Sequence, residues 1–329
     1  MLKGICFLLI FLPLTVLPAF ATLNLTKGVS ASGISSGGFM AAQLQVAFSS
    51  TIQSVGIFAA GPYGCSGGSL VTALYSCMKT TGHTPDGFAL FENTRRLSDL
   101  KQIDDVQNLQ TTRVFLVSGK YDETVETSVV KENISFYQAA NVLPKNIKNR
   151  FDLPLGHAYP TVDFGNDCAT SSAAPWMSRC GDDLTGEMME LFIGPLQPKM
   201  KARSESFYKV KQESAPSMAN FAIAYVPAAC KQGQPCHVHM SLHGCRQNVS
   251  EIGDTFYRKT GLNELAEANR FIVIYPQAVK DSWQGNPKGC WDWWGYTGSN
   301  YALKSGPQMR SLKNLLNDFL QNKVQLQKL

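Results

Sequence analysis

Short apolar runs rich in β-branched and aromatic residues alternate along this chain with stretches of helical periodicity. The apolar runs predict strands at 29–32, 55–60, 114–118, 221–226, 238–242 and 271–275. The helical pattern predicts helices near 39–48, 129–140, 264–269 and 308–322. Because strands that alternate with helices build sheets with helices packed on both faces, we expect an α/β fold with a mostly parallel sheet.

One segment interrupts this alternation. Residues 194–201 combine a glycine with two prolines and two lysines, and this pattern predicts a connector between an N-terminal and a C-terminal part. No internal repeat is present, and a chain of 329 residues with 44% hydrophobic composition is long enough to bury a large core. We therefore expect residues 22–329 to form a single domain.

The first 21 residues have the pattern of a secretory signal peptide. Lys3 precedes an apolar stretch at 5–17, and Ala19-Phe20-Ala21 fits the small-x-small cleavage rule. An uncleaved membrane anchor is the alternative, although the apolar stretch is short for a span. We expect cleavage before Thr22 and a secreted protein, either extracellular or periplasmic.

Charge and hydropathy argue against nucleic-acid binding and against a membrane span. The formal net charge is +5, and no basic run with interleaved aromatic residues indicates nucleic-acid binding. Beyond residue 21, no apolar stretch is long enough to span a membrane. We therefore expect no nucleic-acid partner and no membrane span, and we expect a monomer.

Cysteine usage fits an exported protein. Cleavage of the signal peptide removes one of nine cysteines, and an even number in an exported chain predicts disulfide bonds. A zinc site at Cys236, His237 and His239 is the alternative, but no C-x-x-C pair is present and we expect no metal. Among the many possible pairings, near neighbours are the simplest: Cys65 with Cys77, Cys168 with Cys180, Cys230 with Cys236, and by remainder Cys245 with Cys290.

A G-x-S-x-G motif at 33–37 is the first candidate for chemistry. It follows a predicted strand and opens a predicted helix, which is the setting of a nucleophile elbow. The glycines two residues before and after Ser35 leave room for the sharp turn that exposes its hydroxyl. The helix N-terminus would direct the Ser36 amide at a developing oxyanion. The alternative is a Gly/Ser-rich loop without a catalytic role.

A serine nucleophile needs a histidine base that is held by a carboxylate. His157 lies in a glycine-flanked loop after a strand-like run at 150–153, and Asp122 follows an earlier predicted strand. The carboxyl ends of strands are where open α/β sheets gather their sites. A packing role for His157, a helix-capping role for Asp122 and replacement by Glu123 are the alternatives. The order serine, aspartate, histidine is the one that α/β hydrolases use.

A His-Gly pair follows the strand predicted at 238–242. Such a loop supplies a second backbone N–H to an oxyanion hole, and here the donor would be Cys245. His243 is itself an alternative base. In an ordinary α/β hydrolase this loop precedes the nucleophile, whereas here it follows by about two hundred residues. A circular permutation accounts for this order, with the last helix ending beside the first strand.

Taken together, these motifs resemble the polyhydroxybutyrate depolymerases of the single-domain, circularly permuted type. The resemblance covers nearly the whole mature chain and rests on SGISSGGFM at 32–40, AGPYGC at 60–65, LGHAYPT at 155–161, LHGC at 242–245 and CWDWWGY at 290–296. It implies an α/β-hydrolase fold with one catalytic domain at 22–329. It also implies hydrolysis of ester bonds in poly[(R)-3-hydroxybutyrate] and its oligomers, without a cofactor or metal.

The resemblance also implies roles for individual residues. Ser35 would be the nucleophile, His157 the base and Asp122 its orienting carboxylate. The amides of Ser36 and Cys245 would form the oxyanion hole.

Large aromatic residues crowd the loop after Cys290. Trp291, Trp293 and Trp294, together with Tyr63, are candidate contacts for an apolar, ester-rich chain. Packing in the core beneath the loop is the alternative.

Two other functions fit the same residues. A feruloyl or acetyl-xylan esterase would use the same triad with a different pocket, and fold and triad do not distinguish it. A non-catalytic secreted binding protein is the second alternative. The complete set of Ser35, Asp122, His157 and the His243-Gly244 loop argues against that alternative.

Overall fold

The structure is a computed structural model that describes residues 23–329. The predicted signal peptide at 1–21 lies outside the described residues. The strands are β1 Leu25–Ile34, β2 Ile52–Phe58, β3 Arg113–Val117, β4 Ile147–Arg150, β5 Tyr159–Thr161, β6 Asn166–Asp167, β7 Met177–Arg179, β8 Phe207–Lys211, β9 Phe221–Tyr225, β10 Cys236–Leu242, β11 Phe271–Tyr275 and β12 Gln327–Lys328. The helices are α1 Ser36–Ala47, α2 Leu70–Tyr75, α3 Gly87–Asp99, α4 Thr127–Ala139, α5 Leu184–Ile193, α6 Ala228–Lys231, α7 Val249–Ile252, α8 Thr255–Lys259, α9 Leu262–Asn269 and α10 Pro307–Leu320.

A single large sheet organises the molecule. Within residues 23–329, nine strands pair in the order β12-β8-β9-β11-β10-β1-β2-β3-β4. The strands from β11 to β4 run parallel, while β9, β8 and β12 pair antiparallel at one edge. A small second sheet has the order β5-β7-β6. The expected α/β class with a mostly parallel sheet is confirmed.

Hydrophobic clusters cover both faces of the large sheet. In β11, Ile272 and Ile274 belong to the cluster that includes α1 and α10, whereas Phe271, Val273 and Tyr275 belong to the cluster that includes α5 and α9. Successive side chains of a strand point to opposite faces, so a strand covered on both faces is apolar at every position. This explains the unbroken apolar run that predicts β11.

The strand that leads to the G-x-S-x-G motif lies in the middle of the sheet. β1 pairs with β10 on one side and with β2 on the other, so the strands beyond residue 206 all lie on one side of it. The start of the described chain meets the turn that follows its last helix, because the Leu23 N–H donates to Asn322 Oδ1 at 2.6 Å. This is the arrangement that the predicted circular permutation requires.

The sequence pattern does not predict α3, α5 or β8, and one predicted strand is wrong. Residues 150–153 do not form a strand, because β4 covers Ile147–Arg150 and the chain then turns into the loop that carries His157. Helix α5 contacts β3, β5 and α9. The helix has only ten residues, and threonine and glycine, which are poor helix formers, occupy its first turn, so the sequence signal is weak.

The predicted connector at 194–201 contains neither helix nor strand. Its backbone is fixed against α9. The Gln197 N–H donates to Asn269 Oδ1 at 2.6 Å, and the Met200 N–H donates to the Glu264 carbonyl oxygen at 3.1 Å. The segment leads from α5 to β8 and so joins the two halves of the large sheet.

The structure contains the disulfide bonds that near-neighbour pairing predicts. They are Cys65–Cys77, Cys168–Cys180, Cys230–Cys236 and Cys245–Cys290. The helices found between residues 23 and 329 are too short or too polar to cross a membrane.

Candidate active site

Ser35 stands on a sharp turn between β1 and α1. Its φ of 55° and ψ of −124° lie outside the regions that residues with side chains favour, so the backbone is strained at this position. A Cβ at Gly33 would lie 2.2 Å from the Gly37 carbonyl oxygen, and a Cβ at Gly37 would lie 2.3 Å from that of Leu242. Close backbone contacts therefore require both glycines of the motif.

Ser35, His157 and Asp122 form a continuous hydrogen-bonded chain. His157 Nε2 lies 2.9 Å from Ser35 Oγ, and His157 Nδ1 lies 2.9 Å from Asp122 Oδ2 and 3.0 Å from Oδ1. A carboxylate accepts hydrogen bonds, so Nδ1 carries the proton and Nε2 accepts the Ser35 hydroxyl. The structure thus brings together three residues that the sequence analysis selects from distant positions.

The Asp122 side chain is held by its own loop. Its Oδ1 accepts hydrogen bonds from the Thr124 N–H at 2.8 Å and the Val125 N–H at 2.9 Å. The carboxylate is buried, whereas Glu123 is exposed. The residue before α4 is Glu126, so Asp122 does not cap that helix. The two alternatives for this position, a helix cap and replacement by Glu123, do not fit the geometry.

The loops that carry the aspartate and the histidine are joined through their backbones. The Tyr121 N–H donates to the Leu155 carbonyl oxygen at 3.0 Å. A Cβ at Gly119 would lie 1.8 Å from the same oxygen. On the far side, the Gly156 N–H donates to the Cys168 carbonyl oxygen at 2.9 Å. Glycine thus permits the close approach that sets the spacing between the two side chains.

The amides of Ser36 and Cys245 are the predicted oxyanion donors. Neither donates to a protein acceptor within residues 23–329. Ser36 is the first residue of α1, where helical N–H groups have no intrahelical partner. In the sheet, Leu242 pairs with Gly33, so the loops that carry the two amides leave the same end of adjacent strands. The arrangement fits two donors directed at one oxyanion.

His243 organises the peptide that contains the Cys245 amide. Its Nε2 accepts a hydrogen bond from the Ala278 N–H at 3.1 Å, so Nδ1 carries the proton and donates to the Gly244 carbonyl oxygen at 2.7 Å. In a trans peptide the C=O and N–H point in opposite directions, so this bond turns the Cys245 N–H away from His243.

The surroundings of His243 exclude it as the catalytic base. The side chain is completely buried, and burial lowers its pKa to about 4. Both ring nitrogens are engaged with backbone groups, and the hydrogen-bond partner of Ser35 is His157. His243 is therefore neutral and supports the loop at 243–245 that carries the predicted Cys245 donor, called the oxyanion loop below.

Gln247 supports the same loop, and sequence reasoning misses it. Its Oε1 accepts from the Gly244 N–H at 2.7 Å, and its Nε2 donates to the Trp176 carbonyl oxygen at 2.8 Å. The side chain therefore links the oxyanion loop to the segment that precedes β7. The only signal in the sequence is a glutamine shortly after the His-Gly pair, which is too common to be selective.

Ser35 and His157 line a cleft of about 390 Å³. The predicted substrate residues Trp293 and Trp294 also line it. The Trp293 ring stacks on Phe39 with centroids 3.9 Å apart and an interplanar angle of 7°, and Trp294 packs edge-on against Trp293. Sequence motifs do not identify the other apolar lining residues, which include Leu70, Leu74, Met78, Val125 and Trp176.

The structure corrects the expectation for Trp291 and Tyr63, which do not line the cleft. Trp291 is completely buried, and its Nε1–H donates to the His243 carbonyl oxygen at 2.9 Å. Tyr63 is also buried, and its hydroxyl donates to the Ala302 carbonyl oxygen at 3.0 Å. Both side chains pack in the core and donate a hydrogen bond to a backbone carbonyl oxygen. They therefore have a packing role instead of lining the cleft.

Asp292 shapes the aromatic loop that contributes Trp293 and Trp294. Its Oδ1 accepts from the Gly295 and Tyr296 N–H groups at 2.7 and 3.0 Å, and its Oδ2 accepts from the Thr297 N–H and hydroxyl at 2.8 and 2.6 Å. Burial raises the pKa of this carboxyl. The two tryptophans are thus carried by a loop that folds around one side chain.

Two of the residues considered as zinc ligands, Cys236 and His239, are engaged in other contacts. Cys236 is bonded to Cys230. His239 contacts the hydroxyls of Ser30 and Ser32 through its two ring nitrogens at 2.7 and 2.8 Å. In the part of the chain from residue 23 onward, no three His, Cys, Asp or Glu side chains lie together as metal ligands would.

Comparison with known proteins identifies relatives over most of the chain. A family model described as Esterase PHB depolymerase matches residues 219–318. A poly(3-hydroxybutyrate) depolymerase of Delftia acidovorans is 37% identical over 87% of this chain, which spans 58% of that relative's length. A polyhydroxybutyrate depolymerase of Talaromyces funiculosus is 35% identical, and the match covers 91% of this chain and 90% of that protein.

Solved structures match over a similar share of this chain. A crystal structure of PHB depolymerase from Penicillium funiculosum superposes with a TM-score of 0.82 at 31% identity, over 92% of this chain and 99% of that one. A PHB depolymerase variant complexed with R3HB trimer superposes with a TM-score of 0.84 at 32% identity, with the same coverage. The chain belongs to the polyhydroxybutyrate depolymerase family of esterases.

Proposed function

We propose that this chain is a secreted serine esterase that hydrolyses ester bonds of poly[(R)-3-hydroxybutyrate] and its oligomers. The observation that carries the proposal is the hydrogen-bonded chain of Asp122, His157 and Ser35 beside a mostly apolar cleft. Family membership supports the substrate class, since a related PHB depolymerase is complexed with an R3HB trimer. The four disulfides support secretion, because such bonds form in oxidising compartments.

Acylation starts from the hydrogen bond between Ser35 and His157. Ser35 Oγ attacks the ester carbonyl carbon while His157 Nε2 takes the hydroxyl proton. The amides of Ser36 and Cys245 stabilise the negative charge that develops on the carbonyl oxygen. Asp122 stabilises the imidazolium and keeps the ring in its orientation. When the tetrahedral intermediate collapses, the ester C–O bond breaks and His157 returns its proton to the departing alcohol oxygen.

Deacylation repeats these steps with water. His157 takes a proton from the water, whose oxygen attacks the acyl carbon, and the same amides hold the second oxyanion. Collapse breaks the bond to Ser35 Oγ, which regains its proton from His157, and a hydroxy acid leaves. Apart from the water, every group that acts in these steps is a side chain or a backbone amide of the chain itself.

Product release from an (R)-3-hydroxybutyrate trimer and from amorphous polymer tests the proposal. Wild type and Ser35→Ala are assayed side by side, together with feruloyl and p-nitrophenyl esters. We expect wild type to release hydroxybutyrate, and we expect Ser35→Ala to lose at least about 10⁴-fold in kcat while it still binds the trimer.

The outcomes separate the proposal from its alternatives. If wild type cleaves feruloyl or p-nitrophenyl esters but neither hydroxybutyrate substrate, the serine mechanism survives and the substrate class fails. If Ser35→Ala keeps more than a tenth of wild-type turnover, Ser35 is not the nucleophile.

A further inference from the structure

The two sides of the cleft are lined by different kinds of side chain, and the roles of Ser35, His157 and Asp122 do not account for this difference. Segments that follow β2 and β3 line it with apolar side chains such as Leu74, Met78 and Val125. Segments that follow β10 and β11 line it with Arg246 and Lys288. In the sheet, β10 and β11 lie on one side of β1, which leads to the nucleophile, and β2 and β3 lie on the other. One side of the cleft is therefore apolar, and the other carries both cations beside Trp293 and Trp294, which follow β11 as Lys288 does; we call the first the apolar side and the second the cationic side.

The backbones that carry the two cations are fixed beside the oxyanion loop, and both side chains are exposed. Arg246 directly follows Cys245, and Lys288 lies two positions before Cys290, to which Cys245 is bonded. The Arg246 N–H also donates to the Lys288 carbonyl oxygen at 2.8 Å. Arg246 has a φ of 63°, a left-handed conformation that is unfavourable for a residue with a side chain. The disulfide and the hydrogen bond hold both residues next to each other despite this strain.

Neither cation is neutralised by the protein. Within residues 23–329 no salt bridge involves Arg246 or Lys288, and no Asp or Glu side chain lines the cleft. The Arg246 guanidinium carbon lies 5.8 Å from the centre of the Trp176 ring. A contact with a ring face does not use the guanidinium N–H donors, which remain suited to a planar anion such as a carboxylate.

We propose that Arg246 and Lys288 bind the free carboxylate of a hydroxyalkanoate oligoester and thereby set the direction of its chain in the cleft. This inference rests on the proposed function. The terminal carboxyl of such an oligoester is ionised at neutral pH, whereas its ester groups and its terminal hydroxyl carry no charge. The carboxylate is thus the only group on the substrate that distinguishes a cationic side from an apolar one.

The chemistry of the ester bond then assigns each side of the cleft. Each ester joins the carbonyl of one unit to the hydroxyl oxygen of the next. When Ser35 attacks the carbonyl carbon and the C–O bond breaks, the fragment that leaves takes its proton from His157 and keeps the carboxylate end. The fragment that stays on Ser35 keeps the hydroxyl end. The cationic side is therefore the leaving-group side, and the apolar side holds the acyl group.

Three trimers of (R)-3-hydroxybutyrate that differ only at their ends test this assignment. They are the free acid, its carboxyl methyl ester, and the free acid acetylated at its hydroxyl end. For wild type we expect kcat/KM to be similar for the two acids and about tenfold lower for the methyl ester, mainly through KM, because the ester cannot accept charge-assisted hydrogen bonds. High salt should reduce this preference.

The variant Arg246→Gln with Lys288→Gln should lose most of the preference for the free acid over the methyl ester. Lys145→Gln, which removes an exposed cation that does not line the cleft, should keep it. Equal preference in wild type and the double variant would overturn the carboxylate site, and a stronger effect of the hydroxyl-end block would reverse the assigned direction. If wild type cleaves the methyl ester well but without preference, this inference fails and the proposed function stands. If it cleaves none of the three, both fail.

Discussion

The two halves of the site are held by different kinds of contact. The loops after β3 and β4, which carry Asp122 and His157, meet through backbone hydrogen bonds and glycines that leave no room for a Cβ. The oxyanion loop after β10 also has backbone contacts, but His243, Gln247 and the disulfide of Cys245 hold it in addition. Within one cleft, backbone contact thus joins the two loops of one half, whereas buried side chains and a disulfide add to it in the other.

This difference has a physical reason. The proposed reacting side chains must keep their spacing to within a fraction of an ångström, and the close backbone packing at Gly119 leaves little room for the two loops to shift. The oxyanion loop has to present one amide and a substrate surface, and buried polar side chains orient a peptide while the neighbouring positions vary. We therefore expect substitutions in the first half to lower activity by displacing the loops of Asp122 and His157. Substitutions in the second half should lower it by leaving the Cys245 amide without a fixed direction.

Among the residues that hold the site in place rather than react, the largest effect on activity is expected at Gly119. A Cβ there would lie 1.8 Å from the Leu155 carbonyl oxygen, so Gly119→Ala must separate the aspartate and histidine loops. Displacement of catalytic groups by about 1 Å costs on the order of 10²-fold in rate, and we expect a loss of this size in kcat/KM on the trimer.

Gly253→Ala is the control, since its Cβ meets no atom within 4 Å although its φ is 62°. It should lower stability slightly and leave kcat/KM unchanged. Similar activity losses in both variants would contradict the role of backbone contact.

A smaller effect is expected from removal of the hydrogen bond that orients the Cys245 amide. His243→Leu retains bulk but cannot donate to the Gly244 carbonyl oxygen, so the oxyanion donor loses its fixed direction. Complete loss of a donor costs about 10²- to 10³-fold, so we expect kcat to fall by about 10- to 100-fold with little change in KM. His243→Gln, whose amide can donate, should restore part of kcat.

The control for His243 is His83→Gln, which changes an exposed histidine outside the cleft. It should leave kcat and KM unchanged. A His243→Leu variant that loses folded protein but keeps normal kcat per folded molecule would show that the residue is only structural.

The smallest effect is expected in the response of stability to mild acid. Burial lowers the pKa of His237 and His243 to about 4 and that of His239 to about 3, and all three lie on β10 or its following loop. The unfolded chain protonates these histidines near pH 6.5, whereas the folded chain does not until near pH 4 or below. The free energy of unfolding should therefore fall as pH drops through this window.

Urea unfolding between pH 7 and 5 measures this slope. His239→Gln removes one of the buried titrating groups, and we expect the slope to become shallower by on the order of 1 kcal/mol per pH unit. A wild-type stability that stays constant from pH 6.5 to 5 would show that these histidines are not neutral in the folded state.

Local patterns in the sequence predicted much of the architecture and the three residues that meet in the candidate triad. Runs apolar at every position identified the central strands, because both faces of a parallel sheet are buried. The G-x-S-x-G motif identified Ser35 and its turn, because a nucleophile elbow needs glycine at fixed offsets. Asp122 and His157 could be selected because few histidines and few carboxylates follow predicted strands.

The rest of the site depends on tertiary structure. Trp291 and Trp293 have the same chemistry and lie two positions apart, yet one is sealed in the core and the other lines the cleft. Arg246 and Lys288 become neighbours only because a disulfide and a backbone hydrogen bond join segments that follow different strands. A motif with fixed spacing reflects the steric requirements of a single local turn. Which side chains share a cleft is decided by the order of strands in the sheet, because contacts between distant segments leave no periodic signal in the sequence.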